Sequence, residues 1–325
     1  MDKSLVGVDL GGTQVRALVC NSEGEVLRRA ATLTLAHEGY EAVLRRIHET
    51  IVEAVGPLPW TEIAGIGVGA PGPLDPYAGV VVHAPNLPGW DRVPLRQIIA
   101  DRFCLPVALG NDANLAALGE HRFGAGRGVA DMVYMTISTG IGGGIISGGE
   151  LFLGRGGYAG EIGHQTILVG GPLCGCGNHG CLEALAAGPA IGRMAREAAE
   201  EGRGQALLDL AEGDVSRITA RVVSQAVALG DPTAEEIIRR AGTYIGIGLA
   251  NLANILNPEL FVLGGGVTHV GPLLFDTIRE TIQKAAMVAS RDVRVERAAL
   301  GDDVVLLGAV ALIGRATDRN VYGNV

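Results

Sequence analysis

Two glycine loops of the same form, one in each half of this 325-residue chain, constrain its fold more than any other feature. Asp9-Leu10-Gly11-Gly12-Thr13 closes the apolar run 5–9, and Ile137-Ser138-Thr139-Gly140-Ile141-Gly142-Gly143-Gly144 closes the run 131–138. In each, a strand ends in a hydroxyl residue and glycines, and a second strand follows. Such a backbone can pass close to a ligand with its N–H groups turned toward phosphate oxygens. A tight hairpin explains either loop alone, but two of them in two halves are a poor accident. A third stretch, Leu263-Gly264-Gly265-Gly266-Val267, follows a buried strand and precedes a helix, where a nucleotide's adenosine can lie against backbone. The alternative there is a dinucleotide site, but that stretch lacks G-x-G-x-x-G and an acidic residue about 20 positions on. Lys3 and Lys284 are the only lysines, so a phosphate site built on a lysine has almost no candidates.

The hydrophobic pattern sets these loops in an α/β chain. Residues 5–9, 15–19 and 26–33 read as strands, with a hairpin turn at 21–24 between the last two. Val43, Leu44, Ile47, Ile51 and Val55 share one helical face over 40–55. A strand at 63–68 ends in Gly69-Ala70-Pro71-Gly72-Pro73, and a strand at 107–109 enters a helix at 111–122. The second half repeats the logic. A hairpin spans 131–138 and 143–147, a loop region spans 154–181, and helices follow at about 188–200 and 216–229. Asp231 caps the next helix, with Pro232 in its first turn, and the helix stops before Pro258. A strand at 260–263, a helix at 271–288, a strand at 293–297 and a last helix capped by Asp302 complete the chain. Each half is thus a strand cluster followed by alternating helices and strands, and ligands tend to bind where such halves meet.

Three of the five cysteines fall in Cys174-Gly175-Cys176-Gly177-Asn178-His179-Gly180-Cys181. With His164 upstream they make a Cys3His set suited to tetrahedral Zn2+, structural because protein fills all four positions. A disulfide is the other reading, and His179 competes as the fourth ligand, although its place inside the cysteine loop makes ring closure tight.

Gly110-Asn111-Asp112-Ala113-Asn114 lies at a strand-to-helix junction. Asp112 there is either a plain helix cap or a general base that accepts a hydroxyl proton while Asn111 fixes the acceptor. Phosphoryl transfer depends mostly on positioning and charge neutralisation, so one placed carboxylate suffices. Asp9 can hold Mg2+ through water. Glu161 precedes His164 by three residues and Glu183 follows Cys181 by two, so the zinc would pin both carboxylates near one point. Carboxylates, an amide and an imidazole aimed together suit a polyhydroxylated ligand, because hydroxyls both donate and accept.

Composition excludes several alternatives. The net charge of −9 argues against nucleic acid and anionic membranes as partners. The most apolar stretch, 304–313, is half the roughly 20 residues of a membrane span. The first ten residues show no targeting pattern, and an odd cysteine count without a signal peptide fits a reduced cytoplasm.

These motifs resemble the ROK family (repressors, open reading frames, sugar kinases) of the actin–hexokinase–heat-shock-chaperone superfamily. The similarity runs over nearly the whole chain. Asp9–Thr13 resembles the first phosphate motif, Ile137 to His164 the long signature, and Cys174 to Cys181 with Leu182-Glu183 the zinc motif. The resemblance implies an actin/hexokinase-like, ribonuclease H-like fold of two α/β domains closing on a sugar. Its small domain would span 1–114 plus about 303–325, and its large domain 115–302. It implies zinc at His164, Cys174, Cys176 and Cys181, and Asp112 as base. Sugar contacts would come from Gly72, Asn86, Asn111, Asp112, Glu161, His164 and Glu183. ATP with Mg2+ would meet Asp9, Gly11, Gly12, Thr13, Thr139, Gly140, Gly265 and Gly266. Within the family the chain is most similar to bacterial ATP-dependent glucokinases, carried by residues 69–75 and Asn86-Leu87-Pro88-Gly89-Trp90. Kinases for N-acetylmannosamine, N-acetylglucosamine or fructose, a non-catalytic sugar-sensing regulator, and polyphosphate as donor stay open. A cytoplasmic homodimer or homotetramer is implied. The family's DNA-binding repressors carry a helix-turn-helix ahead of the first phosphate motif, for which Asp9 is expected to leave no room.

Overall fold

The structure, a computed structural model, describes residues 3–21, 23–84 and 86–319. Residues 320–325, assigned from the sequence to the small domain, lie outside the described residues.

The first half builds a five-stranded sheet in the order β3-β2-β1-β4-β8. Strands β1 (Ser4–Leu10), β2 (Gln14–Cys20) and β3 (Val26–Leu33) form an antiparallel meander. Helix α1 (Tyr40–Val55) then crosses over to β4 (Ile63–Ala70), which pairs parallel to β1. α1 is a helix for the reason its spacing indicates: Val43, Leu44, Ile47, Ile51 and Val55 are all buried on one face, against that sheet. A small antiparallel sheet follows, made of β5 (Leu74–Asp75), β6 (Val80–His83) and β7 (Asp91–Val93). Strands of two to four residues carry too few alternations to be read from sequence, so this sheet is new in the structure. Helix α2 (Leu95–Phe103), which buries only Leu95 and Ile99, was equally silent. It leads to β8 (Val107–Asn111), parallel to β4, and to α3 (Asp112–Phe123).

The second half repeats this topology in the order β11-β10-β9-β12-β13. Strands β9 (Met132–Ile137), β10 (Ile141–Ser147) and β11 (Glu150–Leu151) are the antiparallel meander. A long loop, helices α4 (Leu182–Ala186), α5 (Gly188–Glu200), α6 (Gln205–Leu210) and α7 (Ala220–Ala228), and the 25-residue α8 (Pro232–Leu256) separate it from β12 (Leu260–Gly264). Asp231 caps α8 as expected, its carboxylate accepting the N–H of Ala234 at 2.9 Å. The helix expected from 216 starts at Ala220, because Asp214 caps a separate 3-10 turn at Val215–Arg217. Helix α9 (Pro272–Ala285) and β13 (Arg294–Arg297) finish the sheet. Asp302, expected to cap the final helix, instead lies within the 3-10 turn Gly301–Asp303 ahead of α10 (Val304–Arg319).

Helix α10 packs on β1, β4 and β8 of the first sheet and on α3, while α3 also packs on β9 and β10 of the second. The α3–α10 pair is therefore the seam between the halves, and Asp112 is the first residue of that seam. The two glycine loops occupy equivalent places, the β1–β2 turn and the β9–β10 turn.

Candidate active site

The strand-to-helix junction β8–α3 aims two side chains at the space between the halves. Asn111 is the helix cap, its Oδ1 accepting the N–H of Ala113 at 2.9 Å, and Asp112 Oδ1 shares the same N–H at 2.8 Å. The capping role that competed for Asp112 thus falls mainly to its neighbour. Asp112 lines a cavity of about 540 Å3 together with Gly72, Asn111, Glu161, His164 and Glu183. Solvent reaches Asp112 through the open cleft, yet the enclosing walls strip enough water to raise its carboxyl above the usual carboxylate range. The Ala113 N–H opposes that rise, and the nearby Asp9 and Glu161 charges add to it.

One wall of the cavity is built by the cysteine loop. His164, Cys174, Cys176 and Cys181 place one ligand atom each within 4.8 Å of one another. Cys176 Sγ and Cys181 Sγ are 3.7 Å apart, and His164 Nδ1 is 3.7 Å from Cys174 Sγ. A tetrahedron with Zn–S bonds of about 2.3 Å has edges of about 3.8 Å, so this donor set fits a zinc ion in both chemistry and spacing. His179 is not in the set: its Nδ1 stands 3.1 Å from the carbonyl of Gly171, on the surface. With Nδ1 turned to the sulfurs, the His164 ring also reaches the cavity. Glu183 connects the loop to its surroundings. Its Oε1 lies 3.7 Å from Cys174 Sγ, and its Oε2 accepts the N–H of Ile141 at 3.0 Å.

A second cavity, of about 550 Å3, adjoins the first: Ser138 and Thr139 line both. Gly266 also lines it, with its carbonyl oxygen 3.0 Å from His269 Nδ1. Gly265 works by packing. Its φ is 85°, and a Cβ there would stand 2.4 Å from the carbonyl oxygen of Ile137, so only glycine lets the 264–266 turn dock under the 137–140 loop. Arg196, Thr219, Arg221 and Ser224 also line this cavity and were not singled out from the sequence. They come from α5, α7 and the segment between them, with no shared motif to betray them.

The first glycine loop lies outside the lining of both cavities. Gly12 and Thr13 are exposed at the β1–β2 turn, and Gly11 turns there through its N–H to Gln14 O at 2.9 Å. Thr34, buried, braces the turn from behind: its Oγ1 donates to Gly11 O at 2.6 Å and its N–H to Thr13 O at 2.8 Å. Asp9 pairs with Arg16, both of whose contacting nitrogens engage Oδ2, at 2.5 and 3.2 Å. Asn86 is placed differently from the other expected sugar contacts. It is exposed and abuts Gly12, 3.3 Å from where that residue's Cβ would be, rather than lining the 540 Å3 cavity.

Known proteins are similar to this chain in sequence and fold. A profile described as the ROK family matches residues 5–316. The glucokinase of Thermotoga maritima is 38% identical over 310 residues, covering 95% of this chain and 96% of that one. The xylose repressor of Caldicellulosiruptor bescii is 36% identical over 313 residues, covering 95% of this chain and 78% of that one. A crystal structure of a ROK family glucokinase from Streptomyces griseus, in complex with glucose and AMPPNP, superposes with a TM-score of 0.79 at 37% identity, covering 95% of this chain and 98% of that one. The fold is the two-domain actin/hexokinase-like α/β fold, and the chain belongs to the ROK family.

Proposed function

We propose that this chain is an ATP-dependent glucokinase that transfers the γ-phosphoryl group of ATP to the 6-hydroxyl of D-glucose. The observation that carries the reading is Asp112 at a cavity lined by hydroxyl-binding side chains, which shares Ser138 and Thr139 with a second cavity that Gly266 also lines. The sugar occupies the first cavity, met by Gly72, Asn111, Glu161, His164 and Glu183, with Asn86 at the neighbouring Gly12 turn. Asp112 accepts the proton of the 6-hydroxyl as that oxygen attacks the γ-phosphorus and the bond to the ADP leaving oxygen breaks. Burial raises the Asp112 carboxyl above its ordinary value, which makes its carboxylate a stronger proton acceptor. Nucleotide phosphates meet Gly11, Gly12, Thr13, Thr139 and Gly140, with adenosine against Gly265 and Gly266. Asp9 would hold Mg2+ through water, and the ion would supply charge neutralisation for the phosphates.

Zinc at His164, Cys174, Cys176 and Cys181 is structural in this proposal and holds Glu161 and Glu183 in place. The domains are 1–114 with the chain from about 303, and 115–302, closing over the sugar to exclude water that would otherwise hydrolyse ATP. The reading includes a cytoplasmic location, in keeping with cysteines that ligate a metal rather than pair, and among the described residues no helix is long and apolar enough to cross a membrane. A homo-oligomer without nucleic-acid or membrane partners completes the reading. The xylose repressor among the relatives makes non-catalytic sugar sensing the rival, and kinases for N-acetylmannosamine, N-acetylglucosamine or fructose are the rivals within the reaction class. A panel of hexoses crossed with ATP and polyphosphate, read by coupled ADP release and by product phosphate position, tests all of them. Glucose 6-phosphate formed from ATP at the highest kcat/KM supports the proposal, and no turnover with any pair overturns it.

A further inference from the structure

A side-chain hydrogen bond joins the two halves of the chain close in sequence to residues that line the 540 Å3 cavity. The Tyr77 hydroxyl, on the turn between β5 and β6, donates to the carbonyl oxygen of Gly154 at 2.8 Å, 77 residues away. Beside it, Pro76 packs directly on the backbone of Gly157, where a Cβ would stand 2.4 Å from Pro76 Cδ. The two partners differ in how firmly they are held. The turn carrying Tyr77 is rigid: Asp75 Oδ1 accepts the N–H groups of Tyr77 and Ala78, each at 2.9 Å, and Arg96 donates to the carbonyls of Tyr77 and Ala78 at 3.2 and 3.1 Å. The stretch 154–161 has neither helix nor strand and contains Gly154, Gly156, Gly157 and Gly160. Its inner side supplies Gly157, Tyr158, Gly160 and Glu161 to the cavity, while Gly72 and Leu74, just ahead of the Tyr77 turn, supply the facing wall. Tyr77 itself is 56% exposed and outside the core, so packing alone gives it no reason to be held there.

We propose that Tyr77 is a positioning residue for the sugar side of the site: its hydroxyl ties the glycine-rich 154–161 segment to a rigid turn of the opposite half and so sets where Glu161 and Tyr158 stand. This rests on the sugar-kinase reading above. The tie acts through Glu161 on the hexose and does not reach the second cavity, so it affects sugar binding without affecting the nucleotide.

Tyr77→Phe removes the hydroxyl and keeps the ring. Loss of one hydrogen bond of ordinary strength raises KM for the hexose about three- to tenfold, with kcat and KM for ATP within about twofold. The exposed site leaves Tm within about 1 °C of the parent. Trypsin reads the tie without any turnover, because Arg155 lies exposed inside the segment: cleavage after Arg155 in the native, full-length protein accelerates by a factor similar to the KM change. Unchanged hexose KM together with an unchanged Arg155 cleavage rate overturns the proposal. So does a uniform loss of kcat and both KM values with a lowered Tm, which marks a merely structural residue. If the parent protein phosphorylates no hexose, the sugar-kinase reading fails on that measurement, and the proteolysis alone then decides whether the tie exists.

Discussion

Glu183 Oε2 accepts the backbone N–H of Ile141 at 3.0 Å, which ties the helix following the cysteine cluster to the second glycine loop. The same carboxylate reaches Cys174 Sγ at 3.7 Å with its other oxygen. One side chain therefore links the thiol cluster, the 540 Å3 cavity and the turn between β9 and β10. Glu183→Ala lowers kcat/KM about 10- to 100-fold, the scale of a lost charge-assisted hydrogen bond. Glu183→Gln keeps an acceptor for Ile141 and loses less. Hydrogen exchange at the Ile141 amide separates the two variants: protection falls in the alanine variant and persists in the glutamine one.

Asp112→Asn keeps the acceptor for Ala113 N–H and removes the base. We expect kcat to fall about 10²- to 10⁴-fold, the range for losing a general base. Hexose affinity, measured by calorimetry, stays within a few-fold. Near-normal turnover in this variant would remove Asp112 from the mechanism.

The raised carboxyl of Asp112 carries two pH signatures. The acidic limb of kcat/KM lies above the ordinary aspartate value of 3.8, since the base must be ionised. For stability the sign is the reverse of a salt-bridged aspartate. The folded state holds this proton more tightly than the unfolded one, so the group's contribution is fully present below the unfolded pKa and is lost as pH rises through the folded pKa. Asp112→Asn therefore has a higher Tm than the parent at neutral pH, and the gap closes as the solution is acidified toward pH 3.8. Thermal melts of both proteins across that interval measure it.

Zinc is expected at one ion per chain by elemental analysis. Chelation with a strong zinc ligand, or Cys176→Ser, lowers Tm and hexose affinity together, because the cluster fixes the 162–164 turn through His164 and the start of the helix carrying Glu183 through Cys181. A metal-free protein with full hexose affinity contradicts the scaffold role.

Gly265→Ala places a Cβ 2.4 Å from Ile137 O at a φ of 85°. The left-handed backbone alone costs about 1–2 kcal/mol for an L-residue. The 264–266 turn must move away from the 137–140 loop, so KM for ATP rises more than KM for the hexose, as initial-rate kinetics with each substrate varied will show.

Features decided by neighbours in the chain were legible in the sequence. The glycine turns, the face of α1, the Asp231 cap and the cysteine spacing each depend on residues a few positions apart, so local sterics and periodicity suffice to place them. The equivalent placement of the two glycine loops followed from their shared strand–turn–strand form. Tertiary structure decided what depends on distant segments meeting. It chose His164 over His179 by folding the 162–164 turn onto the thiols, and it gave Glu183 to Ile141 across 42 positions. It moved Asn86 against Gly12, closed the second cavity with Arg196, Thr219 and Arg221, and bonded Tyr77 to Gly154. None of these contacts has a local signature, because each is set by how separate segments of the chain pack together rather than by the conformational preference of either residue.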